Sequence, residues 1–149
     1  MDKYMKLALD SAYEGIKNKD GGPFGAVIVK GNEVISIGHN MVIKTNDPTN
    51  HAEIVAIRKA CEKLKTYDLT GCSIYTTSEP CPMCLSAIIW SNIKEINYGA
   101  DKETANNIGF RDKDIYDYIN GQNSINLNMQ QIDSDECKKI FSNYKNIIY

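Results

Sequence analysis

Apolar residues at Met5, Ala8, Leu9, Ala12 and Ile16 recur every three or four positions, a spacing that predicts an amphipathic helix. Gly21-Gly22-Pro23 ends it. The pattern then turns to runs. Ala26-Val27-Ile28-Val29 and Val34-Ile35-Ser36-Ile37 read as strands joined into a hairpin through Gly31-Asn32. A loop, Asn46-Asp47-Pro48-Thr49, leads into a helical stretch from His51 to Leu64. Ser73-Ile74-Tyr75-Thr76 reads as a buried strand, Pro82 to Trp90 as a helix with proline in its first turn, and Ile93 to Tyr98 as another strand. A short helix through Ile115-Tyr116-Asp117-Tyr118 follows, then a last strand around Leu127 to Ile132. Cys137, Ile140, Phe141 and Tyr144 form a final helical stripe. A hairpin followed by alternating helices and strands predicts one sheet packed by helices, an α/β sandwich.

Composition narrows the class. A chain of 149 residues fits one domain, residues 1–149, and a domain of that size buries about 68–70% of its unfolded surface without disulfide staples. With 42% hydrophobic and 24% charged residues, disordered and collagen-like chains are excluded. No run of about 18 apolar residues predicts a membrane span, and Met1-Asp2-Lys3-Tyr4-Met5-Lys6 lacks a signal-peptide core, so a cytoplasmic protein is expected. The net charge of −2 lacks the bulk electrostatics of a nucleic-acid binder. Five cysteines, an odd number, are expected as core residues or metal ligands rather than disulfides.

The chemistry concentrates in His51-Ala52-Glu53 and Pro80-Cys81-Pro82-Met83-Cys84. Two cysteines three apart at a helix start share one face of its first turn, where the helix dipole favours thiolates. His51 begins another helix, and first-turn side chains lean toward the N-terminus. Two helix starts are thus aimed at one metal ion. One histidine and two cysteines suit tetrahedral Zn²⁺ with water in the fourth position. Glu53 is then the candidate carboxylate for moving a proton between that water and a substrate nitrogen. Each part alone has a plainer explanation. The Cys-x-x-Cys pair also fits a redox couple or half of a structural zinc site. Cys61, Cys72 or Cys137 would close such a site as a fourth ligand. Glu53 stands three residues after Asn50, as in a capping box. His51 by itself fits a structural role. His39 is expected to be structural.

The combination of His-x-Glu with Pro-Cys-x-x-Cys is the pattern of zinc nucleobase deaminases. The chain resembles the cytidine-deaminase superfamily from about Gly22 to Tyr149, and most resembles its guanine deaminase branch. Asn46 to Glu53 and Ser78 to Cys84 are similar to that branch and also to bacterial tRNA adenosine deaminases. Gly21 to Lys30, with Phe24, favours the guanine branch. So do Ala87-Ile88-Ile89-Trp90, Gly109-Phe110-Arg111-Asp112 and the terminal Tyr149. Arg111 departs from the branch's Gly-Phe-Asp-Asp stretch.

The resemblance implies a three-layer α/β/α sandwich of the cytidine deaminase type, with a five-stranded central sheet. It implies a homodimer that exchanges its C-terminal segment, roughly residues 110–149. It implies one Zn²⁺ per chain on His51, Cys81 and Cys84, with Glu53 and Asp112 as catalytic residues. Phe24, Asn40, Ala52, Trp90, Asp112 and Tyr149 would bind substrate; packing alone would also explain the aromatic ones. The implied reaction is zinc-dependent hydrolysis of guanine, a small purine, to xanthine and ammonia. Deamination of tRNA adenosine or another base is the nearest alternative. A structural zinc protein that binds a partner is the alternative of another class.

Overall fold

The N-terminal stripe becomes α1 (Lys3–Asn18), started by Asp2, whose carboxylate accepts from the backbone N–H groups of Tyr4 and Met5 at 2.8 and 2.9 Å. The two apolar runs form β1 (Gly25–Lys30) and β2 (Glu33–His39), antiparallel and turned at Gly31, whose φ of +60° is costly for any residue with a Cβ. A short helix, α2 (Val42–Thr45), precedes α3 (Ala52–Leu64), β3 (Cys72–Ser78), α4 (Pro82–Trp90) and β4 (Glu95–Ala100). Then come α5 (Lys102–Asn107), α6 (Asp112–Ile119) and α7 (Ser134–Asn143). This computed structural model describes residues 1–122 and 125–149.

The sheet order is β2-β1-β3-β4, with β1 antiparallel to both neighbours and β4 parallel to β3 after the α4 crossover. Five of the six β1 residues are buried because both faces of that strand are covered, which is why it reads as a continuous apolar run. Val27 and Val29 meet Tyr4 and Ala8 of α1 on one face. Ala26, Ile28 and Ile74 meet Ala52, Ala56 and Ala60 of α3 and Ile88 of α4 on the other. Alanines let α3 lie close to the sheet, and Gly25 does the same for α1: a Cβ there would stand 1.9 Å from the Ala8 carbonyl oxygen. Both α3 and α4 therefore start at the same end of the sheet, beside the C-terminal end of β3.

The expected mixed α/β architecture is present, but the sheet has four strands, not five. The alternation of Leu127, Met129 and Ile132 does not become a strand. These residues are 62, 88 and 73% exposed, with no sheet edge beside them and no core to bury one face. The helical stripe at the end does form, as α7, but none of its residues is buried. No helix of the described residues is long and apolar enough to cross a membrane.

Candidate active site

His51 is the N-cap of α3 and Cys81 the N-cap of α4, both with extended backbones that release their side chains forward of the first turn. Pro82 occupies the first position of α4, where its missing N–H is harmless. Cys84, one turn along, is fully buried and donates its backbone N–H to the Cys81 sulfur at 3.5 Å. The His51 Nδ1 atom lies 3.6 Å from Cys81 Sγ and 3.6 Å from Cys84 Sγ. Zinc bonded tetrahedrally at its usual N and S distances holds nitrogen and sulfur about 3.6 Å apart. The donor set and its spacing therefore fit zinc. Among the described residues this is the one group of three or more metal-binding side chains drawn together. Cys61, Cys72 and Cys137 do not join it, so no fourth protein ligand closes the site.

Glu53 lies in the first turn of α3 and is 5% exposed. Thr76, on the facing side of β3, donates to its Oε1 at 3.0 Å, and the Cys84 thiol donates to its Oε2 at 3.4 Å. The helix cap is His51 rather than Asn50, which bonds instead to Thr45 and Arg58, so Glu53 belongs to no capping box. Burial pushes the Glu53 carboxyl above its usual range, and the neighbouring Cys81 charge adds to this. Cys81 is held well below the usual thiol range, chiefly by its interaction with Cys84 and then by His51. The Cys81 thiolate raises the His51 pKa in turn. Cys84 is pushed up by the neighbouring Cys81 and by burial. A divalent cation would displace the Cys84 proton.

In front of this group is a cleft lined by Phe24, Asn40, His51, Glu53, Ser78, Glu79, Cys81, Phe110 and Asp112. Its walls are flat and apolar on one side: the Phe24 and Phe110 rings meet edge to face, 4.8 Å apart. Asn40, 4% exposed, accepts from the backbone N–H groups of Gly22 and Val42 at 3.2 and 3.1 Å. Both partners are donors, which fixes the amide orientation and leaves its NH₂ to donate elsewhere. The Gly21-Gly22 backbone can approach only because it lacks side chains; a Cβ at Gly21 would stand 2.1 Å from Asn40 Oδ1. Asp112 begins α6, and burial followed by the Cys81 charge raises its carboxyl. Tyr116, one turn later, donates its hydroxyl to the Pro80 carbonyl at 2.7 Å and so ties α6 to the cysteine loop.

Of the side chains expected from the sequence, His51, Cys81, Cys84, Glu53, Asp112, Phe24 and Asn40 converge. Ala52 is fully buried between His51 and Glu53. Trp90 and Tyr149 lie away from the cleft of their own chain. Trp90 ends α4, eight residues and about 12 Å along the helix from Pro82. It is 65% exposed and pairs with Tyr149, the ring centroids 5.8 Å apart. Ser78, Glu79 and Phe110 line the cleft without having been assigned to it, although all three fall inside the motifs that carry the resemblance. His39 is structural as expected, bonded to Asp20 at 2.8 Å and facing Ser11 at 3.3 Å.

Residues 1–100 match the family described as the cytidine and deoxycytidylate deaminase zinc-binding region. A guanine deaminase of Bacillus subtilis is 49% identical over 118 residues, covering 79% of this chain and 76% of that protein. A tRNA-specific adenosine deaminase of Buchnera aphidicola is 38% identical over 141 residues, covering 95% of this chain and 91% of that protein. The X-ray structure of guanine deaminase from Bacillus subtilis superposes with a TM-score of 0.87 at 40% identity, covering all of this chain and 99% of that one.

Proposed function

The chain belongs to the cytidine and deoxycytidylate deaminase zinc-binding family, and from that premise we propose that it is a guanine deaminase, hydrolysing guanine to xanthine and ammonia. The observation that carries this reading is a three-ligand zinc group with a buried carboxylate beside it, opening on a cleft walled by two phenylalanines. His51, Cys81 and Cys84 would hold the zinc, which when bound would supply the Lewis acid that activates a water. Glu53 is the general acid–base: it takes a proton from the attacking water and delivers it to the ring nitrogen beside the amino-bearing carbon, then takes the second proton of that water and passes it to the departing amine, which leaves as ammonia. Burial raises its carboxyl above the usual range, which suits a group that must hold a proton before releasing it. Phe24 and Phe110 hold the flat base. The Asn40 NH₂ meets an acceptor on its edge, and Asp112 accepts from its N–H groups and relays protons. Ala52 contributes its backbone amide beside the base.

Deamination of tRNA adenosine is the second reading, supported by the Buchnera relative. The net charge of −2 opposes it, since binding a polyphosphate backbone calls for a basic face. A structural zinc role leaves the cleft and the buried Glu53 without purpose. An ammonia-release screen of the zinc-loaded protein against guanine, guanosine, adenine and tRNA tests the choice. The expected result is release from free guanine with xanthine as product. Release from tRNA alone, or from none of the four, overturns the reading.

We also propose a cytoplasmic homodimer in which the C-terminal segment, within roughly 110–149, crosses to a second copy. The support is the apolar surface left uncovered there: Ile132, Ile140, Phe141, Ile147, Ile148 and Tyr149 are all more than 70% exposed. A partner's cover would bury them, and Tyr149 would then close a cleft other than its own. Sedimentation equilibrium should give twice the 16.7 kDa of one chain. A monomer at micromolar concentration would remove the exchange.

A further inference from the structure

The side chains of β3 alternate between two faces of the sheet. Cys72, Ile74, Thr76 and Ser78 are buried, whereas the residues between them are partly exposed. Cys72 and Ile74 pack in the core under α3, and Thr76 holds Glu53. Ser78 is the next residue on that face. It stands at the C-terminal end of the strand, where the sheet gives way to the cysteine loop and the cleft begins. It is 6% exposed, and its hydroxyl, wholly buried, has no hydrogen-bond partner in the protein. Asn97 Nδ2 is the other such atom among the described residues. Asn97 is in register with Tyr75, on the α1 face, away from the cleft.

A buried hydroxyl without a partner costs stability, because it has lost water and gained nothing. Alanine at the same place would be neutral or stabilising to the fold. A ligand repays the hydroxyl, since a serine both donates and accepts and so can match either kind of group on a purine edge. The neighbouring polar groups are more restricted: Asn40 has only its NH₂ to spare, and ionised Asp112 only accepts. We propose that Ser78 is a substrate-binding residue whose hydroxyl hydrogen-bonds to the edge of the bound purine. This rests on the deaminase reading above for the identity of the ligand, and on the unpartnered hydroxyl of a residue that lines the cleft for the site.

The test uses the zinc-loaded protein, its Ser78→Ala variant and the volume-matched Ser78→Cys variant. Two quantities are read: KM and kcat for guanine, and the calorimetric Kd of hypoxanthine, a purine with no amino group to lose. Removing one partner from a buried hydrogen bond is expected to raise KM and Kd about tenfold in Ser78→Ala, with Ser78→Cys in between. The kcat should stay within about twofold, and zinc content and Tm should not fall. Wild-type KM and Kd in Ser78→Ala would overturn the assignment. So would a fall in Tm or zinc with binding per folded molecule intact, which would mark Ser78 as a packing residue. If the wild type binds hypoxanthine but does not release ammonia from guanine, the activity reading fails. Loss of hypoxanthine binding in Ser78→Ala would then still uphold Ser78.

Discussion

Glu53→Gln is expected to abolish most turnover while leaving fold and zinc intact. Glutamine has the same shape, and its carbonyl oxygen can still accept from Thr76, 3.0 Å from Glu53 Oε1. Its NH₂ can face the Cys84 sulfur once that sulfur is a metal-bound thiolate, where the carboxylate now lies 3.4 Å away. What disappears is the proton. A general acid–base group typically contributes about 10²–10⁴-fold, so kcat for guanine should fall by that range. Metal analysis of the same sample should still give about one zinc per chain. A kcat within threefold of wild type would reduce Glu53 to a buried structural carboxylate.

Cys84→Ala should have the larger physical effect, because it removes the metal as well as the chemistry. The side chain is fully buried, and its sulfur is one of the two that stand 3.6 Å from His51 Nδ1. Alanine suits the first turn of α4, so the helix should persist. Two ligands hold zinc far less tightly than three, and the zinc content should drop from about one per chain to near zero. Turnover should fall to background. Because bound metal stabilises the state that binds it, the variant's Tm should fall to that of chelator-treated wild type and no further. A variant that keeps stoichiometric zinc would show that the metal is held elsewhere.

The zinc group was legible along the chain because its parts are short-range. A histidine and a glutamate at one helix start, and two cysteines at another, declare their own local geometry through the first-turn direction of side chains. The convergence of the two helix starts followed from alternating helices and strands, which place them at one end of a sheet. Phe24, Asn40 and Asp112 were reached through resemblance. Their local sequence carries no chemistry, and two loops and the start of α6 bring them to the cleft. Ser78, Glu79 and Phe110 lay inside quoted motifs, yet only the strand alternation and the ring contact with Phe24 assign them to it. Where Trp90 and Tyr149 lie relative to the cleft needed distances. The length of α4 separates Trp90 from the zinc end, and the end of the chain runs to Trp90 instead.

The sequence by itself determined the α/β class, the hairpin at Gly31, all four strands of the sheet and the candidate metal-binding residues, because periodicity and helix capping act over a few positions. Only the tertiary structure decided how many strands the sheet has and what the last part of the chain does. The pattern from Leu127 to Ile132 has the alternation of a strand, but a strand also requires an edge to pair with and a face to bury. Those are supplied by other parts of the fold, and these residues lie exposed and outside the four-stranded sheet.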